Sequence, residues 1–151
     1  MLYLAADHRG FQLKKELKKF LGEQGYQAED IGAFEYDKDD DYVDFAIRAS
    51  EKIAENPREH RGIFICGSGV GMDVAANKFK GLRAALCFDT HAAKQSREHG
   101  NTNVLVLAAD DTAFEKAKEI VDAWLKTPFT GEERHGRRLA KIIEIENRNF
   151  K

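Results

Sequence analysis

Five short apolar runs alternate with amphipathic stretches along this 151-residue chain, and that alternation constrains its fold more than any motif does. The runs occupy residues 2–6, 26–31, 62–66, 82–87 and 103–107. Between the first two, Leu13, Leu17, Phe20 and Leu21 recur at helical spacing, with lysines and glutamates opposite. Val43, Ala46, Ile47, Ser50, Ile53 and Ala54 repeat the pattern before the third run, and Phe114, Ala117, Val121, Trp124 and Leu125 after the fifth. Strands alternating with helices imply right-handed crossovers and a parallel sheet covered on both faces. The expectation is one doubly wound, Rossmann-like α/β domain over residues 1–151. It has a five-stranded parallel sheet, helices on both faces and a C-terminal helical tail over residues 131–151.

Composition narrows the class. With 42% hydrophobic and 33% charged residues, the chain can bury a core and keep a solvated surface. No apolar run approaches the ~20 residues of a membrane span. A net charge of −2 supplies no basic face for nucleic acid. The expectation is a cytoplasmic protein with neither a membrane nor a nucleic-acid partner. Cys66 and Cys87 each close an apolar run, and in that compartment they read as reduced thiols rather than a disulfide.

In doubly wound sheets, ligands bind beyond the carboxyl ends of the strands, where strand order reverses. Asp7 and His8 follow the first run, Asp89 and His91 the fourth. The third leads into Cys66-Gly67-Ser68-Gly69-Val70-Gly71-Met72, a strand end feeding a glycine-rich turn at a helix start. Such a turn gathers backbone N–H groups that can hold an oxyanion. A cysteine at its lip would have its pKa lowered by the helix dipole, favouring the thiolate. The competing reading of Cys66 is a small buried apolar residue, which is also the reading favoured for Cys87.

Position excludes several look-alikes. A dinucleotide fingerprint follows the first strand and needs a different glycine spacing. A P-loop needs Gly-Lys-Ser/Thr, which is absent, and a phosphatase of the Cys-x5-Arg type needs arginine where Met72 stands. A two-cysteine redox motif needs cysteine at Gly69.

His8 and His99 are expected in turns at one end of the sheet, with His60, His91 and His135 less supported. The acidic run Asp37 to Asp41 reads as a solvated loop and not as a metal site. Arg134 and Arg138, four apart, share a helix face that suits a phosphate or simply a solvated basic tail. Leu139, Ile142, Ile143 and Ile145 form an apolar seam on the tail that a partner subunit could cover.

Together the segments Ala6-Asp7-His8-Arg9-Gly10, Asp41-Tyr42-Val43-Asp44, Ile65 to Met72 and Ala75-Ala76-Asn77-Lys78 resemble the type B ribose-5-phosphate isomerase family. Gly81 to Leu86, Arg97-Glu98-His99, Asn103-Val104-Leu105 and Arg134 to Arg138 extend the resemblance over nearly the whole chain. This family also includes allose-6-phosphate and galactose-6-phosphate isomerases. The resemblance implies an aldose–ketose isomerase acting through a cis-enediolate, with Cys66 as base and His99 as ring-opening acid/base. Gly67, Ser68, Gly69, Val70 and Gly71 would stabilise the enediolate, with Ser68 also counted as catalytic. Asp7, His8 and Gly100 would meet the sugar phosphate, and Arg134 and Arg138 would grip its phosphate from a neighbouring subunit. A homodimer, or a dimer of dimers, with shared sites and no metal or organic cofactor follows from the same resemblance.

Three positions depart from the family pattern. Gly100 replaces an asparagine that contacts the sugar, Asp110 an arginine that helps bind phosphate, and Val43 a proline. A reversed charge beside a dianion costs affinity unless the loop turns away. The leading substrate is ribose 5-phosphate. Another sugar phosphate, or binding without catalysis, are the alternatives.

Overall fold

Alternate residues of each central strand enter different cores, which is the signature of a sheet buried on both faces. Strand β1 (Leu2–Ala6) sends Leu2, Leu4 and Ala6 to one side and Tyr3 and Ala5 to the other. Strand β3 (Arg61–Cys66) divides Ile63 and Ile65 from Phe64 and Cys66 in the same way. Strand β5 (Val104–Ala108) separates Leu105 and Leu107 from Val104 and Val106.

The computed structural model describes residues 1–150. Helices α1 (Phe11–Glu23), α4 (Thr90–Gly100) and α5 (Phe114–Lys126) contribute Leu17, Ala93 and Trp124 to the first core. Helices α2 (Tyr42–Ala54) and α3 (Val70–Ala76) contribute Phe45, Ile53 and Met72 to the second. Each fully buried large side chain stabilises the fold by about 1.5–3 kcal/mol, so these two layers, rather than the polar residues at strand ends, hold the domain together. One charged side chain joins the buried set unannounced by its pattern. Lys14 is 1% exposed, its Nζ bonded to Asp30 at 2.5 Å and to the Ala33 carbonyl at 2.6 Å.

With the short strands β2 (Ala28–Asp30) and β4 (Ala84–Leu86), the sheet is parallel throughout in the order β2-β1-β3-β5-β4. Strand order reverses between β1 and β3, which pair in register from Leu2 with Arg61 to Ala6 with Ile65. Gly10 permits α1 to start hard against β3, because a Cβ there would lie 2.5 Å from the Ile65 carbonyl oxygen.

The C-terminal helix α6 (Glu133–Asn149) is only lightly tied to the body. Glu146 accepts the Gly81 N–H at 3.1 Å, and Thr130, just before α6, bonds the Glu98 carbonyl through its N–H and hydroxyl. Ile142, Ile143 and Ile145 remain 43, 47 and 50% exposed. Among the described residues, no helix is long and apolar enough to cross a membrane.

Candidate active site

The carboxyl ends of β1 and β3 meet where strand order reverses, and the first group of candidate residues is built there. Buried Asp7 turns its Oδ1 onto the N–H groups of Arg9 and Gly10, both at 3.0 Å. That closes the tight turn into α1. Burial raises the Asp7 carboxyl above its ordinary value, against the pull of those N–H bonds. His8 points elsewhere: its Nδ1 lies 2.6 Å from Asp40, which also accepts the His8 backbone N–H at 3.0 Å.

Cys66 ends β3 directly beside this turn, and the loop after it is clamped to the end of β5. Ala109 N–H donates to the Cys66 carbonyl at 2.9 Å, and Asp110 N–H to the Gly67 carbonyl at 3.0 Å. Gly69, at φ +78°, occupies the left-handed region that glycine enters without strain and launches α3. The remaining glycines are roofed by side chains. A Cβ at Gly67 would lie 2.5 Å from Arg9 Cζ, and one at Gly71 2.5 Å from the Tyr42 ring. Exposed Ser68 accepts the Val70 N–H at 3.3 Å. Val70 is exposed beside it.

The thiol is not at a lip, and its acidity is not what the helix dipole suggests. Cys66 is 4% exposed, and burial raises its pKa. N–H groups of Met72, Gly69 and Gly71 pull it back, while the Asp7 charge adds to the rise. Desolvation of the thiolate outweighs the donors. The loop does bring several N–H groups onto one sulfur, as its glycine pattern indicates.

Asp110 is not a bare anion at the mouth of this site. It is joined to Arg9, whose guanidinium lies over Gly67. The charge reversal seen in the sequence is therefore neutralised within the chain, with a cation supplied from the turn after β1.

The second group sits elsewhere. Strand pairing runs from Gly62 with Val104 to Cys66 with Ala108, so Cys66 marks the carboxyl edge of the sheet. Helix α4 runs back from the end of β4 and finishes at the opposite edge. There Arg83, just before β4, donates to the carbonyls of Gly100 and Asn101. Four β-residues span about 13 Å, so His99 cannot reach Cys66 of its own chain. The expectation that His8 and His99 share one end of the sheet is overturned, because a crossover helix must return to the edge where the next strand begins.

His99 has company there. Its ring stacks on His135 of α6, centroids 4.2 Å apart and planes within 13°. Burial, with help from His99 and Arg134, holds His135 below its ordinary pKa. Arg134 and Arg138 are exposed on the same helix, Arg134 bonded to Glu132 at 3.0 Å. A Cβ added at Gly100 would fit, in ordinary contact with Thr102 Cγ2 at 3.6 Å. The end of α4 is fixed by Arg97, buried between the carbonyls of Thr102 and Thr127 and the Asn101 side chain.

Other singled-out residues are structural. Cys87 is 1% exposed with its thiol pushed up to about 11 by burial. Asn77 ties α3 to β4 through three hydrogen bonds, two with Ala84 and one with the Asp73 carbonyl. His60 bonds the Lys52 carbonyl at 2.9 Å. Two residues of the first group, Asp40 and Arg9, carried no assigned role in the sequence. Asp40 is hidden in a run of five acidic or lysine residues, Asp37 to Asp41, and nothing in that run marks which carboxylate turns inward.

Residues 2–142 match the family described as Ribose/Galactose Isomerase. The ribose-5-phosphate isomerase B of Mycolicibacterium paratuberculosis is 39% identical over 145 residues, covering 96% of this chain and 91% of that protein. The crystal structure of ribose-5-phosphate isomerase B from Mycoplasma genitalium with bound ribulose-5-phosphate superposes with a TM-score of 0.94 at 40% identity, covering 97% of this chain and 95% of that one. The ribose-5-phosphate isomerase B of Clostridium thermocellum gives 0.92 at 40% identity, covering 97% of each.

Proposed function

Because this chain belongs to the ribose/galactose isomerase family, we propose that it interconverts ribose 5-phosphate and ribulose 5-phosphate through a cis-enediolate. The observation that carries the reading is Cys66, buried at the sheet's reversal point beneath the N–H groups of Gly69, Gly71 and Met72. A base moving a proton between C2 and C1 needs a site from which water is excluded. The enediolate it creates needs N–H donors where charge develops. One loop supplies both.

In this reading Cys66 carries the proton, and the N–H groups from Gly67 to Gly71, with the Ser68 hydroxyl, stabilise the enediolate oxygens. Asp7 and His8 orient the hydroxyls and the phosphate. His99 opens the sugar ring, while Arg134 and Arg138 grip the phosphate. Since His99 and both arginines lie away from the Cys66 edge of their own chain, a complete site takes them from a second copy. A homodimer with shared sites follows, and the exposed isoleucines of α6 give it an apolar surface to bury. The reaction moves one proton from C2 to C1 and one from the C2 hydroxyl to the C1 oxygen, and it calls for no metal or cofactor.

The missing side chain at Gly100, where a Cβ would fit, favours a second reading, in which the same chemistry serves a larger sugar such as allose 6-phosphate. Deuterium exchange at C2, followed over a panel of pentose and hexose phosphates in heavy water, separates them. Exchange with ribose 5-phosphate that vanishes in Cys66→Ala supports the lead. Exchange with hexose phosphates alone selects the second, and binding without exchange sinks both.

A further inference from the structure

The acidic stretch between β2 and α2 delivers one carboxylate into the site, and its geometry is specific. Asp40 Oδ1 lies 3.0 Å from the His8 backbone nitrogen and 2.6 Å from His8 Nδ1. One oxygen thus fixes both the peptide and the ring of the same residue. The Asp40 side chain is 9% exposed and that of His8 22% exposed. The second carboxylate oxygen, Oδ2, is buried without a hydrogen-bond partner. His8 is therefore the group to which this buried charge is committed.

We propose that Asp40 is a positioning residue that fixes His8 with Nδ1–H turned inward and Nε2–H turned outward, as a cationic donor for the substrate's phosphate. The assignment of His8 to phosphate rests on the function proposed above; the Asp40–His8 pairing does not. A carboxylate on Nδ1 selects the ring orientation and favours the imidazolium, as a buried acid does wherever it backs a histidine.

The charges around His8 favour the same state. Its pKa is raised, first by the Asp40 hydrogen bond, then by the Asp7 and Asp40 charges, against burial and the Arg9 charge. The Tyr36 ring meets the imidazole edge-on at 6.2 Å and brings no charge. The loop that carries Asp40 is braced at its start by Lys14, bonded to Asp30 and to the Ala33 carbonyl. Asp40 N–H also donates to the Asp37 carbonyl at 3.1 Å. The carboxylate is thus held before substrate arrives.

The functional consequence is a pH window. A phosphate monoester becomes a dianion above pH ~6, and an unassisted histidine loses its charge near 6.5. The two charged forms barely overlap. Raising His8 widens the range in which cation and dianion coexist, and that gain is lost as pH rises through the raised value.

Two measurements test this. The first follows the His8 Cε1 proton by NMR in the ligand-free protein, with His8→Gln to assign the signal. The midpoint lies above 6.5 in the unaltered protein and drops in Asp40→Asn. A midpoint at or below 6.5 in the unaltered protein overturns the proposal even if the variant fails to fold. The second compares KM and kcat across pH. At pH 7.5, Asp40→Asn raises KM about fivefold with kcat within about twofold, and near pH 6 the KM gap shrinks to under about twofold. A KM change equal at every pH, or a loss confined to kcat, overturns it. If no sugar phosphate is turned over at all, the function fails separately, and the NMR midpoint with inorganic phosphate titrated at the same two pH values still decides the role of Asp40.

Discussion

Arg9 is joined to Asp110 across the mouth of the Cys66 loop, although 101 residues separate them in the chain. Both side chains are partly exposed, so the pair adds at most about 1 kcal/mol to stability. Its larger effect is on the charge that meets an anionic substrate. Arg9→Ala strands Asp110 beside the loop and is expected to raise KM about fivefold or more, with thermal stability nearly unchanged. Asp110→Ala leaves the cation in place without its counter-charge and is expected to hold or lower KM. Steady-state kinetics on the two variants and the double variant check the order, and a larger rise in KM from Asp110→Ala would contradict it.

The proposed division of the site between two copies makes a quantitative demand. Cys66→Ala and His99→Asn should each be inactive, yet an equal mixture allowed to exchange subunits should recover about a quarter of the unaltered rate. Half of the dimers are then mixed, and each of those holds one complete site of two. Activity after denaturing and refolding the mixture is the readout. A mixture no better than its parents would place the whole reaction within one chain.

The raised pKa of Cys66 sets a direction for the pH profile. A thiol at the ordinary 9.0 is about one per cent ionised at pH 7, and this one less. On the proposed reading, in which the thiolate is the base, kcat/KM is expected to climb with pH through neutrality and to show no plateau before the ordinary thiol value. Ultraviolet absorbance of the thiolate, taken as a difference against Cys66→Ala, gives the ionisation directly. A thiolate fully formed at pH 7 would show that the loop's N–H groups outweigh burial.

A Cβ at Gly100 would make only an ordinary contact, so Gly100→Asn should fold normally, with stability changed by less than about 0.5 kcal/mol. On the ribose 5-phosphate reading its KM for that sugar falls or holds, while any activity on hexose phosphates declines. The ratio of kcat/KM for the two sugars, measured in both proteins, checks this.

Arg97 precedes His99 by two residues and is buried among the oxygens of Thr102, Thr127 and Asn101. Burial lowers its pKa to about 10, still charged at neutral pH. Arg97→Met should cost about 2–4 kcal/mol, because several buried acceptors lose their donor at once. A urea melt measures the cost, and kcat should fall further than stability alone explains as the end of α4 loosens.

Much of this was legible in the chain. Continuous apolar runs located all five strands, because a sheet buried on both faces leaves no polar side, and 3.6-residue stripes located α1, α2, α5 and the seam of α6; α3 was marked only by its glycine turn, and α4 showed no stripe. The glycines at 67, 69 and 71 marked the loop: Gly69 takes a positive φ, and a Cβ at 67 or 71 would meet the Arg9 guanidinium or the Tyr42 ring, which would have to move. Asp40 and Lys14 were illegible for a shared reason: each stands in a run of like charges, where sequence cannot tell which member turns inward. The acidity of Cys66 was misjudged because the helix start is visible in sequence and the depth of burial is not. The edge occupied by His99 was available in principle, since a helix returning from one strand end must finish beside the start of the next strand.

The separation of Cys66 from His99 has a consequence beyond geometry. A single chain holds an incomplete set of reagents on the proposed reading and does no chemistry alone. Its specific activity then falls on dilution as copies part, so catalysis in this protein answers to its own abundance.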